Sequence, residues 1–381
     1  MQVVVAVDSF KGSLTSVEAG QAIKEGILRA VGDAEVLVCP IADGGEGTVA
    51  ALVHGMKGSF RQTEVTGPLG ERVVAKWGII GGKTTGDPQT ADRVEKTAVI
   101  EMAAAAGLIL VEPARRNPLY TTTYGVGELI REAIREGCRH FIIGIGGSAT
   151  NDGGVGMLEA LGFAFLNSEG QRIPRGAIGL AELKSIDSEG VDPALEDCTF
   201  RIVCDVQNPL CGPNGCSHVF ASQKGASEAQ IVEMDAWLGE YARIVGDRGD
   251  PEMPGAGAAG GLGFAFSAFT NAKLERGIDI VMDETGLETK IQNADIVITG
   301  FCCRISQTNT FKILKVCLIS KLLHTILINL ILSPMQVIKF CDSVVINVFT
   351  HIISFIQCYS FRVMHPILIV VKSLSAYAFL V

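Results

Sequence analysis

Residues 140–154 read His140-Phe-Ile-Ile-Gly-Ile-Gly-Gly-Ser-Ala-Thr-Asn-Asp-Gly-Gly154. An apolar, β-branched run of the kind that forms a buried strand ends in glycines, and the helical pattern of residues 157–161 follows. A loop between a strand and a helix directs backbone N–H groups and the positive end of the helix dipole towards an anion. We therefore predict that Gly146, Gly147 and Ser148 bind phosphate.

Two other glycine-rich loops share this design. One spans residues 41–48 and reads Ile-Ala-Asp-Gly-Gly-Glu-Gly-Thr, and the other spans residues 254–264. A single loop of this type is as often a turn at the end of a helix as a ligand site. Three such loops, interspersed with Asp, Glu, Ser and Thr, favour one shared site for a phosphorylated ligand.

The amino-terminal residues form a strand–loop–helix unit. Residues 3–7 have the pattern of a buried strand, and Asp8 and the residues to Ser13 follow it. Thr15 and Glu18 match a capping box, and apolar residues at helical spacing then predict a helix. In open α/β sheets ligands bind at the carboxyl ends of the strands, which is where Asp8 lies.

The chain up to Gly300 continues to alternate between strands and helices. A helix is predicted over residues 128–135, and strands are predicted over residues 35–39, 73–80, 97–102, 141–145, 199–205 and 295–300. This alternation indicates an α/β protein with a mostly parallel sheet.

The composition argues against several classes of protein. The net charge of −9 does not suit binding to nucleic acid, whose phosphates require a basic surface. Met1 and Gln2 run directly into a strand pattern, without the basic segment that opens a signal peptide. The cysteines before residue 300 include no C-x-x-C pair, which favours a cytoplasmic protein with reduced thiols.

The composition changes abruptly after Gly300. No glycine and only one acidic residue, Asp342, lie beyond it, whereas Ile, Leu, Val and Phe are abundant. Three interpretations of residues 301–381 stay open: the product of a shifted reading frame, a membrane or surface segment within the uncharged stretch 343–361, and a set of buried strands. We favour the first, because polar residues interrupt 343–361 and few turn residues would separate any strands.

Six ordered motifs carry a resemblance to a known family. They read Asp8-Ser-Phe-Lys-Gly-Ser13, Ala42-Asp-Gly-Gly-Glu-Gly-Thr48, Thr66-Gly-Pro-Leu-Gly70, Gly144-Ile-Gly-Gly-Ser-Ala-Thr-Asn-Asp152, Asp205-Val-Gln-Asn-Pro-Leu210 and Gly255-Ala-Gly-Ala-Ala-Gly-Gly-Leu-Gly263. Together they resemble the bacterial glycerate kinases of the glycerate 2-kinase type over residues 1 to about 300. We find no such motif in residues 301–381.

The resemblance implies ATP-dependent phosphorylation of D-glycerate to 2-phosphoglycerate in the cytoplasm, with Mg²⁺ as the metal and no membrane partner. It also implies two α/β domains. Residues 1–70 with about 285–300 would form an incomplete flavodoxin-like domain with a parallel sheet, and residues 71–284 would form an inserted mixed α/β domain. Residues 301–381 would be an apolar tail in place of the end of the first domain.

The departure from the family begins directly after Gly300. The family continues there with Glu-Gly-Arg-x-Asp-x-Gln-Thr, whereas this chain places Phe301 and Ile305 at the two acidic positions. Loss of the strands and helices that complete the first domain would exceed a net stability of roughly 5–15 kcal/mol. An impaired or inactive remnant of a glycerate kinase is therefore the alternative to an active enzyme.

Loop chemistry and the resemblance together nominate the site. No G-x-x-x-x-G-K-[ST] motif is present, so other loops must hold the phosphates. Phosphoryl transfer needs cations on the phosphates, a proton acceptor for the hydroxyl and Mg²⁺. The predicted catalytic residues are Asp8, Lys11, Asp152 and Asp205, and Asp43 and Asp205 are the predicted metal ligands. The predicted substrate- and phosphate-binding residues are Ser9, Asp43, Gly44, Gly45, Glu46, Gly146, Gly147, Ser148, Asn151, Asn208, Lys224, Gly260 and Gly261.

Purely structural roles are an alternative to these assignments, because Asp and Asn on loops often cap helices or form Asx-turns. A different chemistry also competes. The segment from Gly144 to Ala149 fits G-x-G-x-x-A, and Glu169 follows at a distance that suits a ribose contact, so an NAD(P)-binding oxidoreductase is a remote alternative. The polar residues 150–154 argue against it, because that fingerprint requires a helix packed on a strand.

Overall fold

The computed structural model describes residues 1–10, 13–42, 47–81 and 96–300, and the backbone of residues 368–371. The predictions for Lys11, Asp43, Gly44, Gly45 and Glu46 lie outside the described residues. So does the uncharged stretch 343–361. In the part of the chain that is described, no helix is long and apolar enough to cross a membrane.

Two main sheets contain most of the strands. The strands are β1 (Gln2–Val7), β2 (Glu35–Val38), β3 (Ser59–Thr66), β4 (Arg72–Gly81), β5 (Lys96–Glu101), β6 (Cys138–Gly144), β7 (Ala164–Leu166), β8 (Ser185–Asp187), β9 (Thr199–Val203), β10 (Ala272–Glu275), β11 (Ile296–Gly300) and β12 (Leu368–Val371). The four-stranded sheet has the order β12-β11-β1-β2, and the six-stranded sheet has the order β10-β9-β6-β5-β4-β3. A third, small sheet pairs β7 with β8.

The pairing of the strands confirms the predicted α/β class. Strands β11, β1 and β2 are parallel, as are β10, β9, β6 and β5. Antiparallel strands β12 and β3–β4 lie at the edges of the two sheets. The carboxyl ends of β5, β6 and β9 therefore meet at one edge, where the Gly146 loop begins.

Ten α-helices are described, and short 3-10 turns separate some of them. The helices are α1 (Ser16–Ala30), α2 (Thr48–Gly55), α3 (Ala103–Ala106), α4 (Tyr124–Arg135), α5 (Val155–Ala160), α6 (Cys216–Phe220), α7 (Glu228–Val245), α8 (Ala258–Phe269), α9 (Gly277–Thr285) and α10 (Leu287–Asn293). The 3-10 turns are Leu108–Leu110, Pro113–Arg115, Ala177–Glu182, Pro193–Leu195, Ser222–Lys224 and Gly246–Arg248.

The predicted start of the first helix is confirmed. The Thr15 side chain accepts the N–H of Glu18, and the Glu18 carboxylate accepts the N–H of Thr15, which completes the capping box. Two otherwise unpaired N–H groups are thus satisfied at the start of α1. The helix then buries Ala19, Ile23 and Ile27 against β1.

One hydrophobic core joins the two main sheets. It contains Val4 of β1, Leu52 of α2, and Ile80, Val99 and Ile142 of the six-stranded sheet. Leu52 is completely buried in it. Helix α2 therefore lies between the sheets, and Glu101 at the end of β5 accepts the N–H groups of Gly47 and Val49 at the start of the helix.

A larger core lies within the six-stranded sheet and the helices that cover it. Trp77 of β4 is fully buried there, and its indole N–H donates to the Thr63 hydroxyl at 2.9 Å. Because β3 pairs with β4 along its whole length, this sheet begins before the boundary predicted at residue 70. The division into two domains stays a prediction.

Candidate active site

A cleft of about 420 Å³ opens at the carboxyl ends of β6 and β9. Its lining includes the backbone of Gly146 and Gly147 and the residue Ser148 after β6, and Asp205 after β9. Lys224 lines the same cleft, as does Ala259 of the third glycine-rich loop. Two of the three predicted loops therefore contribute to one cavity, together with two predicted charged residues.

Three backbone N–H groups of the Gly146 loop border this cleft. The carbonyl oxygen of Gly147 accepts the N–H of Leu108, and the N–H of Ala149 donates to Ala106, so both ends of the loop are fixed. Among the described residues, no hydrogen-bond acceptor meets the N–H groups of Gly146, Gly147 and Ser148. Gly147 has φ +73°, a left-handed conformation that glycine adopts without strain. Unpaired N–H groups in such a loop form a concave site for an anion.

Lys224 places a buried amine beside this loop. Its side chain is 2 % exposed, and Nζ donates to Ser148 Oγ at 2.9 Å and to the Thr150 carbonyl oxygen at 2.6 Å. Burial lowers the pKa of Lys224 to about 8, and this effect outweighs the opposing attraction of Cys216 and Asp152. The amine thus carries its charge at neutral pH but holds its proton weakly.

Asp205 is the carboxylate of the cleft. Its side chain is exposed, and Oδ1 accepts the N–H of Gly277 at 3.2 Å. Gly277 is the first residue of α9, so the positive end of that helix stabilises the ionised carboxylate. Arg201 fixes the same helix through Asp283 and Glu284, each at 2.7 Å.

The third glycine-rich loop packs against the Gly146 loop. The N–H of Gly153 donates to the Gly260 carbonyl oxygen at 2.9 Å. Gly260 and Gly261 have φ +69° and +93°, and a Cβ on Gly260 would lie 2.1 Å from the Thr150 carbonyl oxygen. Ala259, which lines the cleft, shares the left-handed conformation at φ 54°. Both glycines therefore serve packing between loops, and Gly260 supports the carbonyl group that holds Lys224.

Asp152 and Asn151 are buried behind the cleft and do not line it. Asp152 is 1 % exposed; Oδ2 accepts the N–H and the hydroxyl of Thr123 at 2.8 and 2.9 Å, and Oδ1 accepts the N–H of Gly154. Burial raises the pKa of Asp152, and these hydrogen bonds oppose the rise. Asn151 donates to Ser217 at 2.9 Å. The two side chains connect α4, α5 and α6.

Three other predicted residues also lie apart from the cleft lining. The Asp8 carboxylate accepts the N–H of Ser9 at 2.6 Å at the end of β1, and the Asp8 N–H donates to Gly300. Asn208 donates to the Asn214 carbonyl oxygen at 2.8 Å and shapes the turn after Asp205. The structure therefore brings together Gly146, Gly147, Ser148, Lys224 and Asp205, and not Asp8, Ser9 or Asn208.

Glu101 is a residue of the site that the sequence analysis did not single out. Its Oε1 accepts the N–H groups of Gly47 and Val49 at 3.0 and 2.9 Å. Glu101 ends β5, opposite Gly144 of β6, so it fastens the start of α2 beside the Gly146 loop. A strand that ends in an acid was the signal that nominated Asp205, and it was also present here.

The dinucleotide alternative is not supported by the topology. That fingerprint requires the acidic residue to follow the next parallel strand of the same sheet. Glu169 follows β7, which pairs antiparallel with β8 in a separate two-stranded sheet. Helix α5 also begins only at Val155, after the polar residues rather than at the glycines.

Comparison with known proteins extends these observations. The model of the glycerate kinase family matches residues 3–330. The chain belongs to the glycerate kinase family. This match includes thirty residues beyond the end that the motifs indicated, and those residues lie outside the described part of the chain.

Individual relatives of this family agree. The chain is 48 % identical to the glycerate 2-kinase of Escherichia coli (strain K12) over 303 residues, which are 79 % of this chain and 76 % of that protein. It is 46 % identical over 304 residues to the glycerate kinase of Bacillus subtilis (strain 168), with the same shares covered. A crystal structure of a putative glycerate kinase 2 from Salmonella typhimurium LT2 matches with a TM-score of 0.72 and 48 % identity, over 79 % of this chain and 78 % of that one. Family membership makes this chain a kinase.

Proposed function

We propose that this chain transfers the γ-phosphoryl group of ATP to D-glycerate and forms 2-phosphoglycerate. The observation that carries the proposal is the set of N–H groups at Gly146, Gly147 and Ser148 that have no acceptor among the described residues, next to the buried amine of Lys224. These groups suit the oxygens of a polyphosphate, because fixed dipoles and one cation can neutralise its charge without rearrangement. The relatives are named glycerate kinases, which indicates glycerate as the alcohol substrate.

The apolar part of the cleft suits the nucleoside. Leu108, Val206 and Phe220 line it, and Val206 is 38 % exposed. A flat base can pack against such side chains while the phosphates lie on the glycine loop. This arrangement would direct the terminal phosphate towards the charged residues of the cleft.

Asp205 fits Mg²⁺. This metal binds few protein carboxylates and takes its other ligands from water and phosphate oxygens. Among the described residues no cluster of three or more His, Cys, Asp or Glu could form an all-protein metal site. In the described part of the cleft, Asp205 is the carboxylate beside the proposed phosphate site. When bound, Mg²⁺ would neutralise phosphate charge; Asp205 itself either holds the metal or accepts the proton of the glycerate hydroxyl.

We propose that the loop before α2 binds glycerate. We assign Asp43, Gly44, Gly45 and Glu46 to glycerate, with Asp43 as a second metal ligand, because Glu101 holds the end of this loop beside the Gly146 loop. We assign Lys11 to the phosphate or the glycerate carboxylate, and Asp8 is a second candidate for the proton acceptor. Asp152 and Asn151 then have a structural role, since they are buried and their hydrogen bonds connect three helices. We place the reaction in the cytoplasm, which suits the free thiols of all six described cysteines.

The test is an assay of the full chain with D-glycerate and Mg-ATP. ADP release should depend on D-glycerate, and phosphorus NMR should show a doublet, because the phosphate of 2-phosphoglycerate couples to a single proton. A triplet would identify 3-phosphoglycerate and correct the product. Equal ADP release with and without D-glycerate, in a chain shown to be folded, would support the impaired remnant instead. Sequencing the coding DNA across codons 295–310 tests the frame-shift interpretation.

A further inference from the structure

The contact between Ser148 and Lys224 has a chemistry that the proposed kinase reaction does not use. Ser148 Oγ lies 2.9 Å from Lys224 Nζ, and both residues line the cleft. The only other acceptor that the structure describes for this amine is the Thr150 carbonyl oxygen. Within the described ranges no carboxylate lies within ion-pair distance of Nζ. A serine hydroxyl therefore faces a buried amine that has no counter-ion in the described part of the chain.

Such an amine is a usable base near neutral pH. Removal from water disfavours the charged form, and burial lowers the pKa of Lys224 to about 8. Two groups on neighbouring elements oppose this: the Cys216 thiol of α6 and the Asp152 carboxylate before α5. Asp205 shares the cleft. A fraction of Lys224 is neutral at pH 7 to 8, and its lone pair can then accept the proton of Ser148.

The third component lies on the same loop. The N–H groups of Gly146, Gly147 and Ser148 itself are unpaired among the described residues and border the cleft. Donors of this kind stabilise the negative charge that develops on oxygens around an attacked phosphorus or carbonyl carbon. A hydroxyl, a base within hydrogen-bond distance and a set of N–H donors are the parts of a serine–lysine nucleophile.

We propose that Ser148 is an activated nucleophile with Lys224 as its base, and that it takes the γ-phosphoryl group of a bound nucleoside triphosphate when no alcohol substrate is present. The bond from Ser148 Oγ to the γ-phosphorus forms, and the bond from that phosphorus to the β,γ-bridging oxygen breaks. The hydroxyl proton moves to Lys224 Nζ, and the nucleoside diphosphate leaves. This step rests on the proposed binding of ATP in the cleft.

The product would limit the enzyme's own activity. A phosphoserine at position 148 places a dianion where the Gly146 loop would otherwise hold the phosphates of the next nucleotide, and it removes the hydroxyl that Lys224 contacts. Incubation with ATP alone should therefore inactivate the protein progressively. D-glycerate should protect it, because the alcohol substrate takes the phosphoryl group first.

The nucleophile can be tested without any nucleotide. A fluorophosphonate is a phosphorus electrophile that reacts with activated serines, and peptide mass spectrometry should locate its label at Ser148 of the full chain. Ser148→Ala should abolish the label. Lys224→Met should slow labelling by at least about 100-fold, the usual contribution of a general base. Lys224→Arg, which keeps a cation but stays protonated at this pH and so cannot accept the serine proton, should do the same.

Ser222→Ala is the matched control, because Ser222 is an exposed serine two residues from Lys224 that does not line the cleft. It should label at the wild-type rate. Circular dichroism must show the same fold for every variant. Absence of label in folded wild-type protein, or label at another serine, would overturn the assignment of the nucleophile.

A second measurement separates this inference from the proposed function. Incubation with ATP and Mg²⁺ should add one phosphoryl group to the intact mass, located at Ser148. Full glycerate-dependent ADP release with no phosphoserine would overturn the self-phosphorylation and leave the kinase proposal intact. Phosphoserine at residue 148 after incubation with ATP, together with no glycerate-dependent ADP release from fresh protein that has not met ATP beforehand, would support the inference and count against the proposed function.

Discussion

Two charged side chains carry the chemistry proposed for the cleft, and their surroundings differ. Asp205 is exposed and lies at the positive end of α9. Lys224 is almost completely buried and contacts only neutral acceptors among the described residues. The carboxylate is therefore stabilised in its charged form, whereas the amine is destabilised in its charged form.

Replacing Asp205 by Asn should lower kcat at least about 100-fold, because it removes the carboxylate and keeps the shape and the acceptor for Gly277. The Mg²⁺ dependence separates the two possible roles. A metal ligand predicts that higher Mg²⁺ restores part of kcat, whereas a proton acceptor predicts no restoration and loss of the acidic limb of the pH–rate profile. An unchanged kcat would remove Asp205 from both roles.

Lys224 should make the stability of the protein depend on pH. Its pKa is about 8 in the folded protein and 10.5 in the unfolded chain, so the unfolded chain binds more protons between these values. The free energy of unfolding should therefore rise for wild type relative to Lys224→Met as the pH increases from 8 to about 10.5, by up to about 3 kcal/mol. Denaturant titrations at several pH values measure this difference. A difference that stays constant with pH would mean that folding does not lower the pKa of Lys224.

At the scale of elements, the site is built from contacts between loops and strand ends. Glu101 of β5 fastens the start of α2, and Gly260 of α8 packs on the backbone of Thr150. Neither residue lines the cleft. Gly260 supports the Gly146 loop, which lines the cleft, and Glu101 fixes the end of the loop that we assign to glycerate.

Glu101→Ala should leave two N–H groups at the start of α2 without an acceptor and destabilise the protein by about 1–3 kcal/mol. It should also raise the KM for D-glycerate more than the KM for ATP, since the loop assigned to glycerate ends there. Glu101→Gln keeps an acceptor oxygen and should recover most of both losses. Glu112→Ala, at an exposed acid, is the control and should change neither constant. Equal rises in both KM values would contradict a role specific to glycerate.

Gly260→Ala should be far more costly than Gly170→Ala. Both glycines have left-handed φ values, +69° and +76°, but a Cβ has open space at Gly170 and meets the Thr150 carbonyl oxygen at Gly260. The common conformational cost is about 1 kcal/mol, and the clash adds to it only at Gly260. Because Thr150 also holds Lys224, Gly260→Ala should reduce activity as well. Equal shifts in the unfolding midpoint would refute this account.

The sequence predicted elements well where the signal is local. Thr15 and Glu18 set the start of α1, and β6 and its glycine loop lie where the pattern of residues 140–154 placed them. It could not tell that Asp152 points into the protein while Ser148, in the same loop, borders the cleft. It also missed Glu101, because the contact with Gly47 spans 54 positions of the chain. Lys224 and Asp205 were nominated, but only the fold shows that they share one cavity.

At the scale of the whole molecule, the two main sheets share a core. Val4 comes from the four-stranded sheet, Ile80 and Ile142 come from the six-stranded sheet, and Leu52 of α2 lies among them. A core that contains residues of both sheets links their stabilities, because unfolding of one exposes apolar surface of the other.

Leu52→Ala should therefore destabilise the whole molecule, by about 2–5 kcal/mol for a buried leucine. Thermal unfolding should remain a single transition at a lower midpoint. Val74→Ala, at a residue of β4 that is 68 % exposed, is the control and should change the stability by less than about 0.5 kcal/mol. Two separated transitions in Leu52→Ala would show that the sheets unfold independently.

The burial of Trp77 makes these measurements possible without a label. An indole ring surrounded by apolar side chains emits at shorter wavelength than one in water, and Trp77 is fully enclosed in the six-stranded sheet. The chain has one other tryptophan, Trp237, which is only partly buried. A Trp237→Phe variant would leave a single fluorophore, so its emission colour would report when the interior of that sheet becomes wet.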